Sequence, residues 1–229
     1  RLYGKADAII AVSQGVAEDL IAHFGMDRQQ VHTIYNPIFH GEISMTHKIA
    51  VIGSGARGKG HAKSWNQRED AQVVAVCDID KERAQSLAEE MGGGAAAYED
   101  YRAAIRHEGV DIVSVCTVTK QHAEITREAA QTGCHVFCEK PLALTLEDGE
   151  KALEAVRKNN VLFSPCFQHR DMGIYLKQYE LFRNGAFEGP VHLRFTDMRE
   201  VRPKTAMHSA SLNGGVVIDM GCHLFDIIR

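Results

Sequence analysis

The fold is decided by residues 48–58, which read Lys-Ile-Ala-Val-Ile-Gly-Ser-Gly-Ala-Arg-Gly. Four successive apolar residues, Ile49–Ile52, are typical of a strand that is buried on both faces. A G-x-G-x-x-G run follows at once, and residues 57–67 have a helical pattern. In such a turn the first glycine permits the tight bend, the second admits a pyrophosphate to the backbone, and the third lets the helix pack close to the strand. We therefore predict that Gly53, Gly55, Arg57 and Gly58 bind a dinucleotide cofactor.

An acidic residue at the end of the next strand supports this interpretation. Asp78 lies twenty residues after Gly58, where a carboxylate can accept hydrogen bonds from the adenosine ribose hydroxyls. The same charge repels a 2′-phosphate, so NAD is favoured over NADP, although Lys81 and Arg83 follow closely. The alternative is a glycine-rich turn followed by a solvated acid.

From Lys48 onwards the sequence alternates between strand and helix patterns. Strands separated by helices of this kind predict parallel pairing through right-handed crossovers, and hence an α/β doubly wound Rossmann sheet. The predicted strands are 48–53, 72–78, 111–116, 134–138 and 161–167, and the predicted helices are 57–67, 81–91, 120–132 and 147–159. A helix at about 171–184, a strand at about 190–200 and a helix over 214–226 then begin an α+β substrate domain, which we expect to be incomplete.

The first forty residues have a different character. Short apolar runs at Ala8–Val12 and Val31–Tyr35 predict two strands, and the spacing of Val16, Leu20 and Phe24 predicts a helix between them. This strand–helix–strand stretch resembles the domain junction of two-domain (GT-B) glycosyltransferases. An extra packing unit of the enzyme that follows is the alternative.

The two ends of the chain suggest that it has been cut. It starts at Arg1 without methionine and stops at Arg229 inside an apolar-periodic segment, while Met45 directly precedes the first strand of the main pattern. We therefore expect three parts: a glycosyltransferase-like fragment over 1–44, a nucleotide-binding Rossmann domain over 45–168, and the start of a truncated domain over 169–229.

Composition excludes several classes of protein. The 229 residues carry a formal net charge of −4, with acidic and basic residues interspersed, so no basic stripe indicates nucleic-acid binding. No apolar run is long enough to cross a membrane, and no signal-peptide pattern is present, which favours the cytoplasm. Cys134, His135, Cys138, Cys166 and His169 could be read as zinc ligands, but their spacing matches no known ligand pattern. We predict no metal site.

Two further groups of residues indicate acid–base and hydride chemistry. Glu139-Lys140-Pro141 follows a strand, so Lys140 can donate a hydrogen bond to a substrate oxygen in the crevice at the strand ends. Asp219 and His223 are spaced i and i+4 on the predicted helix. A histidine with an unperturbed pKa of about 6.5 suits removal of a hydroxyl proton. Alternatively, Lys140 is an ordinary lysine on the surface, and Asp219 and His223 are an ordinary pair on one face of a helix.

Together with Gly53–Gly58 and Asp78, these motifs resemble the Gfo/Idh/MocA oxidoreductases from about Lys48 to Arg229. The resemblance implies NAD(P)-dependent hydride transfer to or from a sugar, cyclitol or related polyol, and homo-oligomers for full-length members. It assigns Lys140, Asp219 and His223 to catalysis, with Lys140 and Asp219 also holding substrate. Further cofactor contacts are implied for Thr117, Thr119, His122 and Glu139, and substrate contacts for Arg170 and His208. His61, one turn into the first helix, is interpreted as a packing or surface residue.

Two alternatives to an active dehydrogenase remain. One is an inactive NAD-binding fragment or a join of two neighbouring genes. The other is a glycosyltransferase fragment, for which the donor-sugar motif is missing.

Overall fold

The computed structural model describes residues 9–11, 31–33, 46–187, 189, 191–192, 194–196 and 209–228. The chain divides into two compact units, Arg1–Met45 and Thr46–Arg229. In the first unit, strands β1 (Ile9–Ala11) and β2 (Val31–Thr33) pair in parallel. Both lie inside the runs for which strands are predicted. The helix predicted between them lies outside the described residues.

A six-stranded sheet, parallel throughout, forms the centre of the second unit. Its strands are β3 (His47–Ile52), β4 (Ala71–Cys77), β5 (Ala96–Tyr98), β6 (Ile112–Val115), β7 (His135–Cys138) and β8 (Phe163–Pro165). Their order across the sheet is β5-β4-β3-β6-β7-β8. This is the Rossmann order, in which the winding reverses between β3 and β6 and ligands bind outside the carboxyl ends of the strands. The predicted doubly wound α/β fold is confirmed.

Helices connect these strands on both faces of the sheet. They are α1 (Ala56–Asn66), α2 (Lys81–Met91), α3 (Tyr101–Ile105), α4 (Thr119–Gln131) and α5 (Leu146–Lys158). Successive side chains of β3 explain the two layers, because they point alternately to opposite faces. Ile49 and Val51 pack with Leu87 of α2 on one face, whereas Ala50 and Ile52 share the other face with Ile125 of α4.

The short elements between α2 and β6 are absent from the predicted list. β5 has three residues and α3 has five, and they follow the glycine run Gly92–Gly94. Elements this short do not complete the repeat of hydrophobic residues on which the prediction of a strand or helix depends. β5 is placed by its pairing with β4, which is a tertiary contact rather than a local preference.

The segment after β8 is mainly helical in its described part. It contains a 3₁₀ helix (Gln168–Asp171), α6 (Gly173–Arg183), α7 (Ala210–Asn213), α8 (Gly215–Asp219) and α9 (Gly221–Ile228). The strand predicted at about 190–200 is wrong for residues 191–192 and 194–196, which have no strand structure. A strand needs a neighbour for its backbone hydrogen bonds, and among the described residues none pairs with this segment. Within the described residues, no helix has the length and apolar character needed to span a membrane.

Candidate functional site

The three glycines of the loop between β3 and α1 have different surroundings. A Cβ on Gly53, whose φ is +100°, would lie 2.6 Å from the carbonyl oxygen of Cys116. A Cβ on Gly58 would lie 1.6 Å from the carbonyl oxygen of Gly53, so this glycine brings α1 against the strand. A Cβ on Gly55 would meet nothing within 4 Å. The loop therefore closes tightly at Gly53 and Gly58 and leaves open space at Gly55, where the motif admits a pyrophosphate.

The start of α1 is also suited to an anion. Side chains cap the starts of α2, α3 and α5: Asp80, Asp100 and Thr145 each accept a hydrogen bond from a main-chain N–H of the first turn. Gly55 stands at the corresponding position of α1 and provides no such cap. The first-turn N–H groups and the positive end of the helix dipole are thus left for a ligand.

Asp78 closes the far side of the loop, directly after β4. Its Oδ2 accepts a hydrogen bond from the main-chain N–H of Ser54 at 2.9 Å. Its Oδ1 accepts one from the N–H of Asp80 at 3.0 Å and one from Nη2 of Arg83 at 2.7 Å. The carboxylate is therefore held beside the glycine loop, and a guanidinium lies next to it.

Glu139 lies under the loop at the carboxyl end of β7 and is almost fully buried, with 6% of its surface exposed. Its Oε1 lies 3.4 Å from Nε2 of His61 and 3.6 Å from Nε of Arg57. Burial by itself would raise the pKa of Glu139. The hydrogen bond from His61 and the charge of Arg57 together have a larger effect in the opposite direction, so the pKa of Glu139 is below its ordinary value. Glu139 is thus an anion at neutral pH. His61, interpreted as a packing or surface residue, is part of this cluster.

The loops after β6 and β7 are joined by His122, which is buried in α4. Its Nδ1 lies 2.7 Å from the carbonyl oxygen of Pro141, and its Nε2 lies 3.0 Å from that of Thr117. Burial lowers the pKa of His122, although the two carbonyl groups favour the charged form. Thr119 begins α4, and its main-chain N–H donates to Oδ1 of Asn213 at 3.1 Å. These residues fix the loop beside the strand ends; their contact with cofactor stays a prediction.

Lys140 follows Glu139 and makes the main connection to the second part of the site. Its Nζ donates to Oδ1 of Asp219 and to the main-chain oxygen of Asp219, each at 2.7 Å. The side chain of Lys140 is 9% exposed and that of Asp219 is 20% exposed. The peptide bond between Lys140 and Pro141 is cis. The structure thus brings together two of the three residues predicted to be catalytic.

The single helix predicted over residues 214–226 is wrong, because the chain forms α8 and α9 with a break at Met220. In an uninterrupted helix the main-chain oxygen of Asp219 would accept from the N–H of His223. Here that oxygen accepts from Lys140, and the N–H of His223 donates to Met220 instead. Loss of a main-chain acceptor to a side chain interrupts a helix at that point. Asp219 and His223 therefore belong to two helical segments.

His223 lies in a stack of rings beside a pocket. Its imidazole, 3% exposed, stacks on that of His169 with centroids 4.1 Å apart, and His169 stacks on Tyr175 at 5.3 Å. A pocket of about 260 Å³ is lined by His169, Tyr175, Phe195, Thr196, Met220, His223 and Leu224. The pocket has aromatic walls and imidazole groups, which are suited to a small molecule with both C–H faces and hydroxyl groups.

The remaining substrate candidates have other positions. Arg170 forms a two-pronged ion pair with Asp226, in which Nε lies 2.7 Å from Oδ2 and Nη2 contacts Oδ1. This pairing raises the pKa of Arg170 and connects the 3₁₀ helix to α9. A substrate contact by Arg170 stays a prediction. His208 lies outside the described residues.

Two residues of the site are missing from the predicted set. His169 is the neighbour of Arg170 in the triplet Gln168-His169-Arg170 after the last strand, so its position in the sequence could have indicated it. Only Arg170 of this triplet is predicted to contact substrate. Tyr175 gave no local indication, because it reaches the pocket through the packing of α6 onto the 3₁₀ helix.

The family follows from comparison with known proteins. Residues 47–167 match the family model described as an oxidoreductase family with an NAD-binding Rossmann fold, Gfo/Idh/MocA. The chain belongs to the Gfo/Idh/MocA oxidoreductase family. Its cofactor is NAD, and the open space at Gly55 together with the uncapped start of α1 fits a pyrophosphate.

Several dehydrogenases are similar to this chain. The myo-inositol 2-dehydrogenase of Thermotoga maritima is 34% identical over 80% of this chain and 54% of its own length. The D-glucoside 3-dehydrogenase of Escherichia coli is 34% identical over 78% of this chain and 52% of its own length. The crystal structure of a probable dehydrogenase from Thermotoga maritima superimposes with a TM-score of 0.71 at 34% identity, over 80% of this chain and 54% of that one. The chain spans about half the length of the curated relatives it matches.

A separate match covers the start of the chain. Residues 1–40 match the family model of Glycosyltransferase Family 4. This confirms the predicted glycosyltransferase resemblance of the first unit.

Proposed function

We propose that this Gfo/Idh/MocA chain is a dehydrogenase that transfers hydride between NAD and the hydroxyl or carbonyl carbon of a sugar, cyclitol or related polyol. The observation that carries the proposal is the pairing of Lys140 with Asp219 at the carboxyl end of β7. That strand end faces the same crevice as the glycine loop after β3, because both strands run in parallel. A cation and a carboxylate are thus available where a substrate carbon would meet the cofactor.

Each residue has a defined role in the proposed reaction. NAD, when bound, supplies the hydride acceptor in the direction of alcohol oxidation. His223 removes the proton of the hydroxyl group, while Lys140 donates a hydrogen bond to the same oxygen and stabilises its developing negative charge. Asp219 holds Nζ of Lys140 and restricts it to one position. In the reverse direction His223 returns the proton to the oxygen.

The substrate class rests on the pocket and on the relatives. Stacked rings of His169 and Tyr175 provide flat surfaces for the C–H groups of a sugar or cyclitol, and the imidazoles provide hydrogen bonds for its hydroxyls. Two similar proteins are a myo-inositol 2-dehydrogenase and a D-glucoside 3-dehydrogenase. A panel of such substrates therefore tests the proposal.

Cofactor binding can be measured through the single tryptophan of the chain, Trp65, which lies at the end of α1 and packs edge-on against Phe137. NADH should quench its fluorescence saturably by energy transfer, and this quenching should be lost in Gly55→Val. A UDP-sugar that changes the fluorescence when NADH does not would favour glycosyl transfer instead.

Catalysis is tested by turnover with NAD and a panel of inositols, aldoses and glucosides. We expect turnover with at least one of them, a loss in Lys140→Ala, and unchanged NADH quenching in that variant. NADH binding without turnover on any substrate would instead identify a non-catalytic NAD-binding chain. Cytoplasmic location and a homo-oligomeric state stay predictions.

A further inference from the structure

Three potential metal ligands from distant parts of the sequence meet under the glycine loop. They are the imidazole of His61 in α1, the carboxylate of Glu139 after β7 and the thiol of Cys166 after β8. One donor atom from each lies within 4.8 Å of the others. Among the described residues this is the one group of its kind. None of the three ligands is Lys140, Asp219 or His223, although Glu139 directly precedes Lys140 and accepts a hydrogen bond from its main-chain N–H.

The donor set is one that Zn²⁺ prefers. Zinc sites combine cysteine sulfur, histidine nitrogen and carboxylate oxygen, and three protein ligands leave a fourth position open. Metal–ligand bonds of about 2.0–2.2 Å in a tetrahedral arrangement place nitrogen and oxygen ligands roughly 3.4 Å apart. The Nε2 atom of His61 and the Oε1 atom of Glu139 are already 3.4 Å apart. The sulfur of Cys166 lies within 4.8 Å of a donor atom of each of these two residues and completes the set when it moves towards them.

The neighbours of His61 orient its ring for such a role. Nδ1 lies 2.9 Å from Oγ of Ser114 on the central strand β6, and 3.1 Å from Sγ of Cys116. On metal binding Nε2 gives up the proton that faces Glu139, Nδ1–H donates to Ser114, and the lone pair of Nε2 is directed towards the metal. Metal-binding histidines commonly use their second nitrogen in this way, because that hydrogen bond fixes the tautomer and the ring orientation.

The three ligands are also shielded and fixed in position. The side chains of His61 and Glu139 are 15% and 7% exposed, and Cys166 is buried. His61 lies in α1, and Glu139 and Cys166 directly follow strands β7 and β8. Arg57 opposes a cation, since its Nε lies 3.6 Å from Oε1 of Glu139. Its side chain is 57% exposed and has room to turn into solvent.

We infer that His61, Glu139 and Cys166 form a binding site for one Zn²⁺ ion at the carboxyl ends of β7 and β8. The sequence gives no indication of it, because the ligands are 78 and 27 residues apart and match no spacing motif. Glu139 is also a predicted cofactor contact, so the metal is titrated without NAD. Failure to bind Zn²⁺ would leave the open space at Gly55 and the pairing of Lys140 with Asp219 unchanged.

Cobalt(II) is a suitable probe, because a Co²⁺–thiolate bond produces a near-ultraviolet charge-transfer band that Zn²⁺ lacks. The full chain is kept reduced with a phosphine and titrated with Co²⁺ in the absence of NAD. We expect one equivalent of Co²⁺ to produce the band and one equivalent of Zn²⁺ to abolish it. Cys166→Ser should remove the band, whereas Cys134→Ser, which alters a cysteine at the opposite end of β7, should keep it.

If circular dichroism shows that Cys166→Ser does not fold, two other variants test the proposed Zn²⁺ site. Glu139→Gln should weaken Co²⁺ binding at least about tenfold, since even loss of a supporting contact has that effect in metal sites. Arg57→Ala should strengthen binding, because it removes the neighbouring positive charge. The inference is overturned if no thiolate band forms, if the band persists in Cys166→Ser, or if neither Glu139→Gln nor Arg57→Ala changes the affinity.

Discussion

The side-chain Nζ of Lys140 donates to two oxygens of Asp219, the carboxylate Oδ1 and the main-chain oxygen, each at 2.7 Å. The contact to the main-chain oxygen explains why the chain forms α8 and α9 instead of one helix. The contact to the carboxylate places a buried cation where the cofactor crevice opens. A single side chain thus determines both the local backbone and the charge of the candidate active site.

Replacement of Lys140 by methionine should destabilise the protein and change this helix break. Methionine keeps the apolar stem but leaves the carboxylate of Asp219 without its cation, so we expect the free energy of unfolding to fall by about 1–3 kcal/mol. The freed oxygen of Asp219 should then accept from the N–H of His223. Urea unfolding measures the first effect, and slower amide hydrogen exchange at His223 measures the second. Lys140→Arg is the matched control that keeps a donor, and equal stability of all three proteins would contradict the role assigned to Lys140.

Substitutions in the glycine loop should affect cofactor binding at one glycine and stability at another. Gly55→Val places its side chain in open space at an ordinary φ of −69°, so the fold should tolerate it while NADH binding is lost. Gly58→Ala directs a Cβ to within 1.6 Å of the Gly53 carbonyl oxygen and should lower the melting temperature. Thermal melts and NADH titration of both variants provide the comparison. The roles given to the two glycines would be wrong if Gly55→Val melted early and Gly58→Ala did not.

Asp78 and Arg83 should together determine the preference for NAD. The carboxylate repels a 2′-phosphate and holds Arg83 at 2.7 Å. Asp78→Ser removes the repulsion and frees the guanidinium to pair with a phosphate, so the ratio of NADPH to NADH affinity should rise about tenfold or more, a change of 1.4 kcal/mol. Addition of Arg83→Ala to this variant should reverse the gain. An unchanged ratio in Asp78→Ser would show that the carboxylate does not face the adenosine ribose.

The sheet could be predicted from the sequence because its strands combine a local pattern with a local motif. The buried runs in β3 and β4 are apolar on successive residues, and the glycine loop identifies which turn binds the nucleotide. β5 and α3 could not be predicted, because three and five residues are too few for a periodic pattern. Their positions depend on pairing with β4, which the sequence does not display.

The site was predictable as a set of residues but not as a set of contacts. Lys140, Asp219 and His223 were identified from motifs and family resemblance, yet nothing local indicates that Lys140 takes the main-chain oxygen of a residue 79 positions away. The stacking of His169 on His223 likewise arises only when the 3₁₀ helix and α9 pack together. Contacts of this range depend on tertiary packing, which overrides local preference.

A pH dependence of stability should arise at Asp70, which precedes β4. Arg68 binds its carboxylate with Nε 2.7 Å from Oδ1 and Nη2 2.6 Å from Oδ2, and this hydrogen bonding lowers the pKa of Asp70. A lowered folded pKa means that the stabilisation is complete above the unfolded pKa of about 3.9 and is lost as the pH falls through the folded value. Asp70→Asn should therefore reduce the free energy of unfolding by about 1 kcal/mol at pH 7. Urea unfolding of both proteins from pH 7 to pH 3 should show this difference shrinking only at the acidic end, and a difference that grew on acidification would contradict the assignment.

The helices after β8 should make the chain bind hydrophobic dyes in its folded state. α6 contains no buried residue, and Ile174 and Phe225 are 63% and 68% exposed on α6 and α9. A double change, Ile174→Ser with Phe225→Ser, should lower dye fluorescence while it alters stability by less than about 0.5 kcal/mol, since both side chains already lie in solvent. Leu87→Ala is the opposite control: it empties a fully buried position, so it should cost about 2–5 kcal/mol and leave the dye sites intact. A sharp melt without dye binding by the parent chain would show that these apolar side chains are covered in solution.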